Sequence, residues 1–278
     1  MIYALILAGG KGTRLYPLSR MNQPKQFLRV INNKSFLVNT VERITPLIKK
    51  DNIYVITNRD YLDKIREELS YINSDNIFTE PENKETATCI GLSAIKLLKK
   101  DNDAVMVVLP SDHHIEGEKE YNDTLVEAIE IANRRRGIVT IGINPTRPET
   151  GYGYIEMGEK LQSLSSAYKI SRFTEKPNVE VAKDFLLKGT YLWNSGMFVF
   201  RADALITKLR CRIFIYRVIC IHLYPPRYIL IFLMVIKFFE LNTDCTSISI
   251  YINSFNYAIN KILLFFNSSC IYVNRKFF

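Results

Sequence analysis

The sequence predicts a three-layer α/β protein with a doubly wound, mostly parallel sheet between two layers of helices. Short apolar runs alternate with segments of helical periodicity over residues 3–143, the rhythm of a parallel sheet with crossover helices. Two apolar runs lead directly into loops that carry glycines or acids, at residues 8–14 and 110–114. Because ligands bind outside the carboxyl ends of the strands in such sheets, these loops are expected to form the binding site.

Each element follows from its apolar pattern. Unbroken apolar runs predict strands buried on both faces at residues 3–7, 53–57, 104–109 and 138–143. Apolar residues at helical spacing predict helices at residues 38–47, 61–69, 85–100 and 121–133. Lys99 and Lys100 lie at the end of the third helix, where positive charge complements the helix dipole.

The stretch after the first strand is the segment around which the chain is organised. It reads Ala-Gly-Gly-Lys-Gly-Thr-Arg over residues 8–14. Three glycines in four positions let the backbone turn tightly, and the free N–H groups of such a turn form an anion-binding concavity. Lys11, Arg14 and Lys25 add positive charge, and arginine can hold a phosphate through two hydrogen bonds. Neither the P-loop spacing nor the dinucleotide fingerprint is present, so the loop predicts another kind of phosphate site.

The net charge of +9 belongs mostly to the end of the chain. Residues 209–278 hold eight Lys or Arg and two acids, which gives +6, and residues 1–208 supply the remaining +3. This distribution is not a nucleic-acid signal, and we expect no nucleic-acid partner. Only Cys89 lies in the first 208 residues and no C-x-x-C occurs, so neither a zinc site nor a disulfide framework is expected. Without a basic n-region or a cleavage site, the N-terminus predicts a protein of the reducing cytoplasm.

Residues 209–278 also differ in composition from the rest of the chain. None of the last 82 residues is glycine, and Ile, Phe, Tyr and Asn make up 34 of the final 70, whereas average glycine usage is about 7%. The apolar run 228–236 is shorter than the roughly 20 residues that span a bilayer, so membrane association is not expected. We predict that this tail is a shifted reading frame of an AT-rich gene that folds poorly, which leaves residues 1–208 as an incomplete domain.

Six motifs in order give residues 1 to about 208 a resemblance to a known family. They are G-G-x-G-T-R-L-x-P-L-S with Pro-Lys-Gln-Phe after it, E-P-x-x-x-x-T-A from residue 80, L-P-S-D-H at 109–113, the glycine motif at 149–155, F-x-E-K-P at 173–177 and W-N-S-G-M-F at 193–198. This set resembles the sugar-nucleotide pyrophosphorylases, and its later motifs are similar to the mannose-1-phosphate guanylyltransferase branch. The resemblance implies a Rossmann-like nucleotide-diphospho-sugar transferase fold. It also implies Mg²⁺-dependent transfer of GMP from GTP to mannose 1-phosphate, giving GDP-mannose and pyrophosphate for polysaccharide synthesis.

The resemblance also implies roles for individual residues. The implied catalytic residues, which neutralise phosphate charge, are Arg14, Lys25 and Lys176. Nucleotide binding falls to Leu7, Ala8, Gly9, Gly10, Lys11, Gly12, Thr13, Glu80, Thr86, Ala87, Pro110 and Ser111. Sugar binding falls to Gly153, Glu175 and Asn194. Judged from the residues alone, the segment at 80–87 is as well explained by a helix cap beside a surface acid.

Asp112 is the expected metal ligand. It follows an apolar strand, and Mg²⁺ takes one or two carboxylates together with phosphate oxygens and water. His113 and His114 are not expected to act as a metal pair, because adjacent residues of an extended loop point apart and a hard cation prefers oxygen.

One departure from the family pattern concerns the metal site. Relatives carry a further aspartate, in a W-S-D-x-G-type motif beyond W-N-S-G-M-F, that completes this site. The only acids of the tail are Glu240 and Asp244, and neither lies in such a motif. We therefore expect the chain to be a poor or inactive transferase that still binds nucleotide. The alternatives are another sugar-1-phosphate nucleotidylyltransferase, using glucose 1-phosphate with a different nucleotide, and a non-catalytic nucleotide-binding fragment. The oligomeric state stays open.

Overall fold

The computed structural model describes residues 1–10, 17–20, 23–29, 32–79, 86–161, 166–209 and 270–274. Within these ranges the strands are β1 (Ile2–Leu7), β2 (Ile53–Thr57), β3 (Ile77–Thr79), β4 (Val105–Pro110), β5 (Ile138–Ile143), β6 (Tyr154–Lys160), β7 (Ala167–Thr174), β8 (Tyr191–Arg201) and β9 (Cys270–Asn274). The α-helices are α1 (Phe36–Ile44), α2 (Leu62–Glu68), α3 (Thr86–Leu98), α4 (Glu118–Arg135), α5 (Val179–Lys188) and α6 (202–209). The four strands and four helices predicted from apolar periodicity are all present, with ends shifted by a few residues.

The strands form one sheet in the order β3-β2-β1-β4-β8-β5-β9-β7-β6, with an additional pairing between β6 and β8. β1 pairs in parallel with β2 and β4, and β2 pairs in parallel with β3. β8 runs antiparallel to β4, β5 and β6, and β7 runs antiparallel to β6 and β9. β7 and β8 therefore run against all the other strands, which confirms the mostly parallel sheet.

Helices cover both faces of the sheet, as the alternation of side chains along β1 shows. Ala4 and Ile6 belong to a core shared with α1, α2 and α4. Tyr3 and Leu5 belong to a second core shared with α3 and α6. Because successive side chains of a strand point to opposite faces, an unbroken apolar run is what a strand between two helical layers requires. The predicted three-layer, doubly wound architecture is confirmed.

Several elements were not predicted from the sequence: β3, β6, β7, β8, β9, α5 and α6. The reason is clearest in β6 and β7, where most side chains after the first residues are half-buried or exposed. Such strands contain many polar residues and lack the apolar run that marks β1. No helix in the described part of the chain combines the length and apolar character needed to cross a bilayer.

The described structure includes one segment of the tail, β9. It pairs in parallel with β5 and antiparallel with β7. The other tail residues from 210 onward lie outside the described ranges. The predicted boundary near residue 208 and the predicted frameshift stay predictions.

Candidate functional site

The site begins where β1 and β4 end side by side. Leu7 and Pro110 are partners in the parallel register, which places the described start of the glycine-rich loop, residues 8–10, beside the loop that carries Asp112. Buried Ser111 ties the two together, since its hydroxyl donates to the Leu7 carbonyl at 2.7 Å and its backbone N–H donates to the same oxygen at 3.2 Å. The two loops predicted to form the binding site are thus brought together.

Buried polar side chains donate hydrogen bonds to the first carbonyl groups of the glycine-rich loop. The Ala8 carbonyl accepts from Gln26 Nε2 at 3.1 Å and from Thr57 Oγ1 at 3.0 Å. The Gly9 carbonyl accepts from Asn58 Nδ2 at 3.4 Å. Sequence analysis missed these anchors. The available signals were Gln26 within the Pro-Lys-Gln-Phe motif and the polar pair that follows the apolar run of β2.

Lys25 and Asp112 form an ion pair beside the carboxyl end of β4. Lys25 begins a short 3-10 helix, Lys25–Phe27, and its Nζ lies 3.2 Å from Asp112 Oδ2. The Phe36 ring packs below the ammonium, 5.8 Å from Nζ to the ring centroid. The two side chains are 28% and 38% exposed, so both are accessible to a ligand. A predicted catalytic cation and the predicted metal ligand therefore lie in contact.

The two histidines after Asp112 have different surroundings. His113 Nε2 lies 3.9 Å from Asp112 Oδ1, and burial lowers the pKa of its imidazole, with the nearby Asp112 carboxylate opposing that shift. His114 is exposed and its Nε2 lies 3.4 Å from Glu116 Oε1. In the described part of the chain, no group of three or more His, Cys, Asp or Glu side chains could hold a metal ion. Asp112 lies just beyond the carboxyl end of β4, and its role as a metal ligand stays a prediction.

A second cluster forms where the loop before β6 meets the end of β7. A Cβ atom added to Gly153 would lie 2.8 Å from Phe173 Cζ and 2.9 Å from Glu175 Oε2. Gly153 is therefore needed for close approach, since any side chain would displace that carboxylate. Glu175 Oε1 is ion-paired with Lys176 Nζ at 2.8 Å. Two predicted sugar-binding residues, Gly153 and Glu175, and the predicted catalytic residue Lys176 thus lie close together.

Glu175 and Lys176 are adjacent in sequence, and in a strand their side chains would point to opposite faces of the sheet. The structure instead brings the two side chains into contact. β7 ends at Thr174, so the pair lies in the turn that follows, and Lys176 has a left-handed backbone with φ +42°. Non-glycine residues in this region are uncommon, and they cluster at binding and active sites. The turn lets two adjacent side chains reach one another.

Asn194 sits at a bulge in β8. The register between β5 and β8 shifts between Thr140 and Gly142, and bulges of this kind re-aim side chains beside active sites. Asn194 Oδ1 accepts from the Gly196 N–H at 3.1 Å. The single proton of the Thr140 hydroxyl is shared between Asn194 Oδ1 at 3.2 Å and the Met197 carbonyl at 3.1 Å. The backbone N–H of Asn194 donates to the Gly153 carbonyl at 2.8 Å. The described residues thus engage the amide oxygen, and the amide N–H groups are the donors that a ligand could accept from.

The nucleotide-side and sugar-side clusters meet at Gly196. This residue has φ +74°, and a Cβ there would lie 3.4 Å from Pro110 Cγ. Left-handed backbone favours glycine, so the sequence fits the conformation. The bulge of β8 therefore packs directly against the end of β4.

Glu149 stabilises the loop that precedes β6 and carries Gly151 and Gly153. Its Oε1 accepts from the Gly151 N–H at 3.0 Å, and its Oε2 accepts from Arg147 Nη2 at 3.0 Å. The Gly151 hydrogen bond, followed by the Arg147 contact, lowers the pKa of the Glu149 carboxyl. The Arg147 guanidinium lies over the Trp193 ring, 5.5 Å from its centroid. These contacts of Glu149 were not predicted from the sequence, although Glu149 is the first residue of the glycine motif at 149–155.

The remaining predicted site residues are only partly placed. Thr86 and Ala87 are the first two residues of α3. Outside the described residues lie Lys11, Gly12, Thr13, Arg14 and Glu80. Their predicted roles stay predictions.

Comparison with known proteins gives the following matches. The nucleotidyl transferase family model matches residues 3–222. The chain is 44% identical over 223 residues to a mannose-1-phosphate guanylyltransferase from Salmonella montevideo, a match that covers 78% of this chain and 46% of the relative. The chain thus spans about half the length of the curated relatives it matches.

Solved structures agree with the fold. A Thermus thermophilus protein described as a mannose-1-phosphate geranyltransferase superposes with a TM-score of 0.78 at 27% identity, over 99% of this chain and 74% of that chain. A putative glucose-1-phosphate thymidylyltransferase from Bacillus anthracis superposes with a TM-score of 0.58 at 18% identity, over 100% of this chain and 88% of that chain. The second likeness concerns the fold alone.

Proposed function

Because the chain belongs to the nucleotidyl transferase family, we propose that its site transfers the guanylyl group of GTP to mannose 1-phosphate. The products are GDP-mannose and pyrophosphate. The proposal takes its substrates from the relative with 44% identity and from the motifs of residues 1–208. The cysteine pattern supports the cytoplasm as the place of this reaction.

One observation carries the proposal: the phosphate-side and sugar-side clusters are adjacent. Gly196, in the bulge that also holds Asn194, packs against Pro110 at the end of β4. Asp112 and its Lys25 partner lie just beyond Pro110. A sugar phosphate held at the bulge would therefore lie beside a nucleotide phosphate held at the β1 and β4 loops, as a transfer between the two requires.

The proposed reaction requires little proton transfer. An anionic oxygen of the sugar phosphate attacks the α-phosphorus of the nucleotide, a new P–O bond forms, and the bond to the β-phosphate breaks so that pyrophosphate leaves. Catalysis then consists of positioning and charge neutralisation. Lys25 and Arg14 would neutralise the triphosphate, and Lys176 the sugar phosphate. Glu175 and Asn194 would hold the sugar, because one accepts from hydroxyl groups and the other donates to them.

Members of this family generally use a divalent metal ion, and Asp112 fits such an ion. Its carboxylate is 38% exposed and already faces a cation, the Lys25 ammonium. Mg²⁺ is the ion we propose, since it is held by one or two carboxylates with the remaining positions on phosphates and water. When bound, it would neutralise charge on the triphosphate.

The reaction is tested by pyrophosphate release with GTP, UTP and dTTP, each offered with mannose 1-phosphate and with glucose 1-phosphate. We expect GTP with mannose 1-phosphate to be the best pair, at a low rate for this chain. A faster rate with UTP or dTTP and glucose 1-phosphate would assign a different transferase. GTP binding in calorimetry without any turnover would identify a nucleotide-binding fragment.

Replacing either proposed triphosphate cation should weaken GTP binding. Lys25→Ala and Arg14→Ala are each expected to cost about 1.5–3 kcal/mol of binding free energy, the range for charge-assisted hydrogen bonds. Titration calorimetry measures the change. Lys34→Ala is the matched control, because Lys34 also pairs with a carboxylate, Glu42, at 2.7 Å but belongs to neither of the two loops. Unchanged GTP affinity in both site variants would remove the phosphate assignment.

Lys176→Ala should act on the sugar phosphate alone. We expect a KM for mannose 1-phosphate raised by about tenfold, the effect of losing one charge-assisted contact, with little change in the KM for GTP. Lys188→Ala controls for the loss of an exposed ion pair, because Lys188 pairs with Asp184 at 2.7 Å and is 53% exposed, against 52% for Lys176. Equal effects on both substrates would count against the assignment.

A further inference from the structure

We propose that Gln26, Thr57 and Asn58 are positioning residues that aim the Gly9 and Gly10 N–H groups at the nucleotide phosphates. This inference rests on the proposed function and adds three side chains to it. None of the three belongs to the expected ligand-binding set. Each instead contacts the backbone that leads into the glycine-rich loop.

The argument starts from the geometry of the peptide bond. A trans peptide is planar, so a carbonyl and the N–H of the next residue point in opposite directions. The peptide between Leu7 and Ala8, at the end of β1, shows this. The Leu7 carbonyl points toward β4 and accepts from Ser111, whereas the Ala8 N–H points toward β2 and donates to the Ile56 carbonyl at 2.8 Å. Fixing a carbonyl therefore fixes the direction of the N–H that follows it.

The next two peptides are fixed in the same way by side chains. Gln26 and Thr57 both donate to the Ala8 carbonyl, so the Gly9 N–H points away from them. Asn58 donates to the Gly9 carbonyl, so the Gly10 N–H points away from Asn58. In the part of the chain that the structure describes, neither N–H has a hydrogen-bond partner.

The three anchoring side chains are buried, whereas Gly10 is exposed. Gln26, Thr57 and Asn58 are 2%, 0% and 5% exposed, and a Cβ atom added to Gly10 would meet no described atom within 4 Å. Buried polar groups are costly unless they are hydrogen-bonded. Side chains buried to hold two consecutive carbonyls thus leave two consecutive N–H donors that have no partner among the described residues, and consecutive N–H donors are the arrangement that binds an anion.

The test uses the 278-residue chain and the variant Thr57→Val, which keeps the side-chain shape and removes the hydroxyl. Affinity is measured for GTP by calorimetry and for guanosine by competition, because only GTP reports on the phosphate contacts. Thr57→Ser restores the hydroxyl, and Gln26→Met removes the second donor to the same carbonyl. Thr40→Val is the matched control, since Thr40 is 1% exposed and its hydroxyl has no hydrogen-bond partner among the described residues.

We expect Thr57→Val and Gln26→Met each to raise the Kd for GTP about 5- to 10-fold, the size of one hydrogen bond, and to leave the Kd for guanosine within about twofold. Thr57→Ser and Thr40→Val should match the wild type. If the wild type binds GTP but Thr57→Val binds it equally well, or loses both ligands in parallel, the positioning role is wrong. Failure of the wild type to bind GTP would overturn the proposed function itself, and this inference with it.

Discussion

A chain in which residues 209–278 are replaced by the segment that follows the equivalent position in the Salmonella montevideo relative should turn over GTP and mannose 1-phosphate about 100-fold faster than the 278-residue chain. The reason lies in the metal site. Asp112 is the carboxylate that we propose as a metal ligand, and the family pattern implies a second one beyond the W-N-S-G-M-F motif. A metal–nucleotide complex held by one protein carboxylate is less closely positioned, and misplacement of about 1 Å can cost on the order of 100-fold in rate.

The comparison needs two measurements on both proteins. Pyrophosphate release gives the turnover number, and calorimetry gives the GTP affinity. We expect the turnover number to change far more than the affinity, because the phosphate-side cluster lies before residue 209. Comparable turnover in the two proteins would mean that the tail supplies a site that its composition does not reveal.

Gly153→Ala should lower kcat/KM for mannose 1-phosphate by about 100-fold while leaving the KM for GTP unchanged. The new methyl group would lie 2.8 Å from Phe173 Cζ and 2.9 Å from Glu175 Oε2, too close for either atom to remain in place. Both atoms are at the far ends of their side chains, so the fold can yield without collapsing. The displaced group is the Glu175 carboxylate, and a shift of about 1 Å in a positioning group has an effect of this size.

A glycine with room for a methyl group provides the control. Gly91 lies within α3, and its added Cβ would meet only Leu209 Cδ1, at 3.8 Å among the described atoms. Gly91→Ala should therefore keep its activity and gain roughly 1 kcal/mol of helix stability. Kinetics are measured in whichever of the two chains above turns over faster. A Gly153→Ala protein with normal sugar kinetics would show that Glu175 does not contact the sugar.

The sheet core could be predicted because local pattern and tertiary environment agree there. β1, β2, β4 and β5 lie between helical layers, so their sequences are mostly apolar, and such runs are recognisable without a partner. β7 contacts the core with only some of its side chains, so its pattern is not distinctive. The left-handed turn at Lys176 and the bulge at Gly196 depend on the register between strands, which no local pattern specifies.

The site divides in the same way. Lys25, Asp112, Gly153 and Glu175 carry chemistry recognisable by residue type and motif, and the structure brings them together in two clusters. A polar residue at the end of β2 was a signal too weak to single out Thr57, because its contact with the Ala8 carbonyl appears only when β1 and β2 align. The residues proposed to contact the ligands could thus be named from the sequence, whereas the residues that hold the backbone in place were not predicted.

The ion pair between Lys25 and Asp112 has a consequence for which ligands the site will accept. A free phosphate that takes the ammonium leaves an unpaired carboxylate next to its own negative charge. A free cation that takes the carboxylate leaves an unpaired ammonium next to its own positive charge. A metal–nucleotide complex brings both signs at once, so each side chain exchanges one partner for another and no charge is left over. The site is therefore expected to discriminate against inorganic phosphate and free metal, each of which supplies only half of what it must replace.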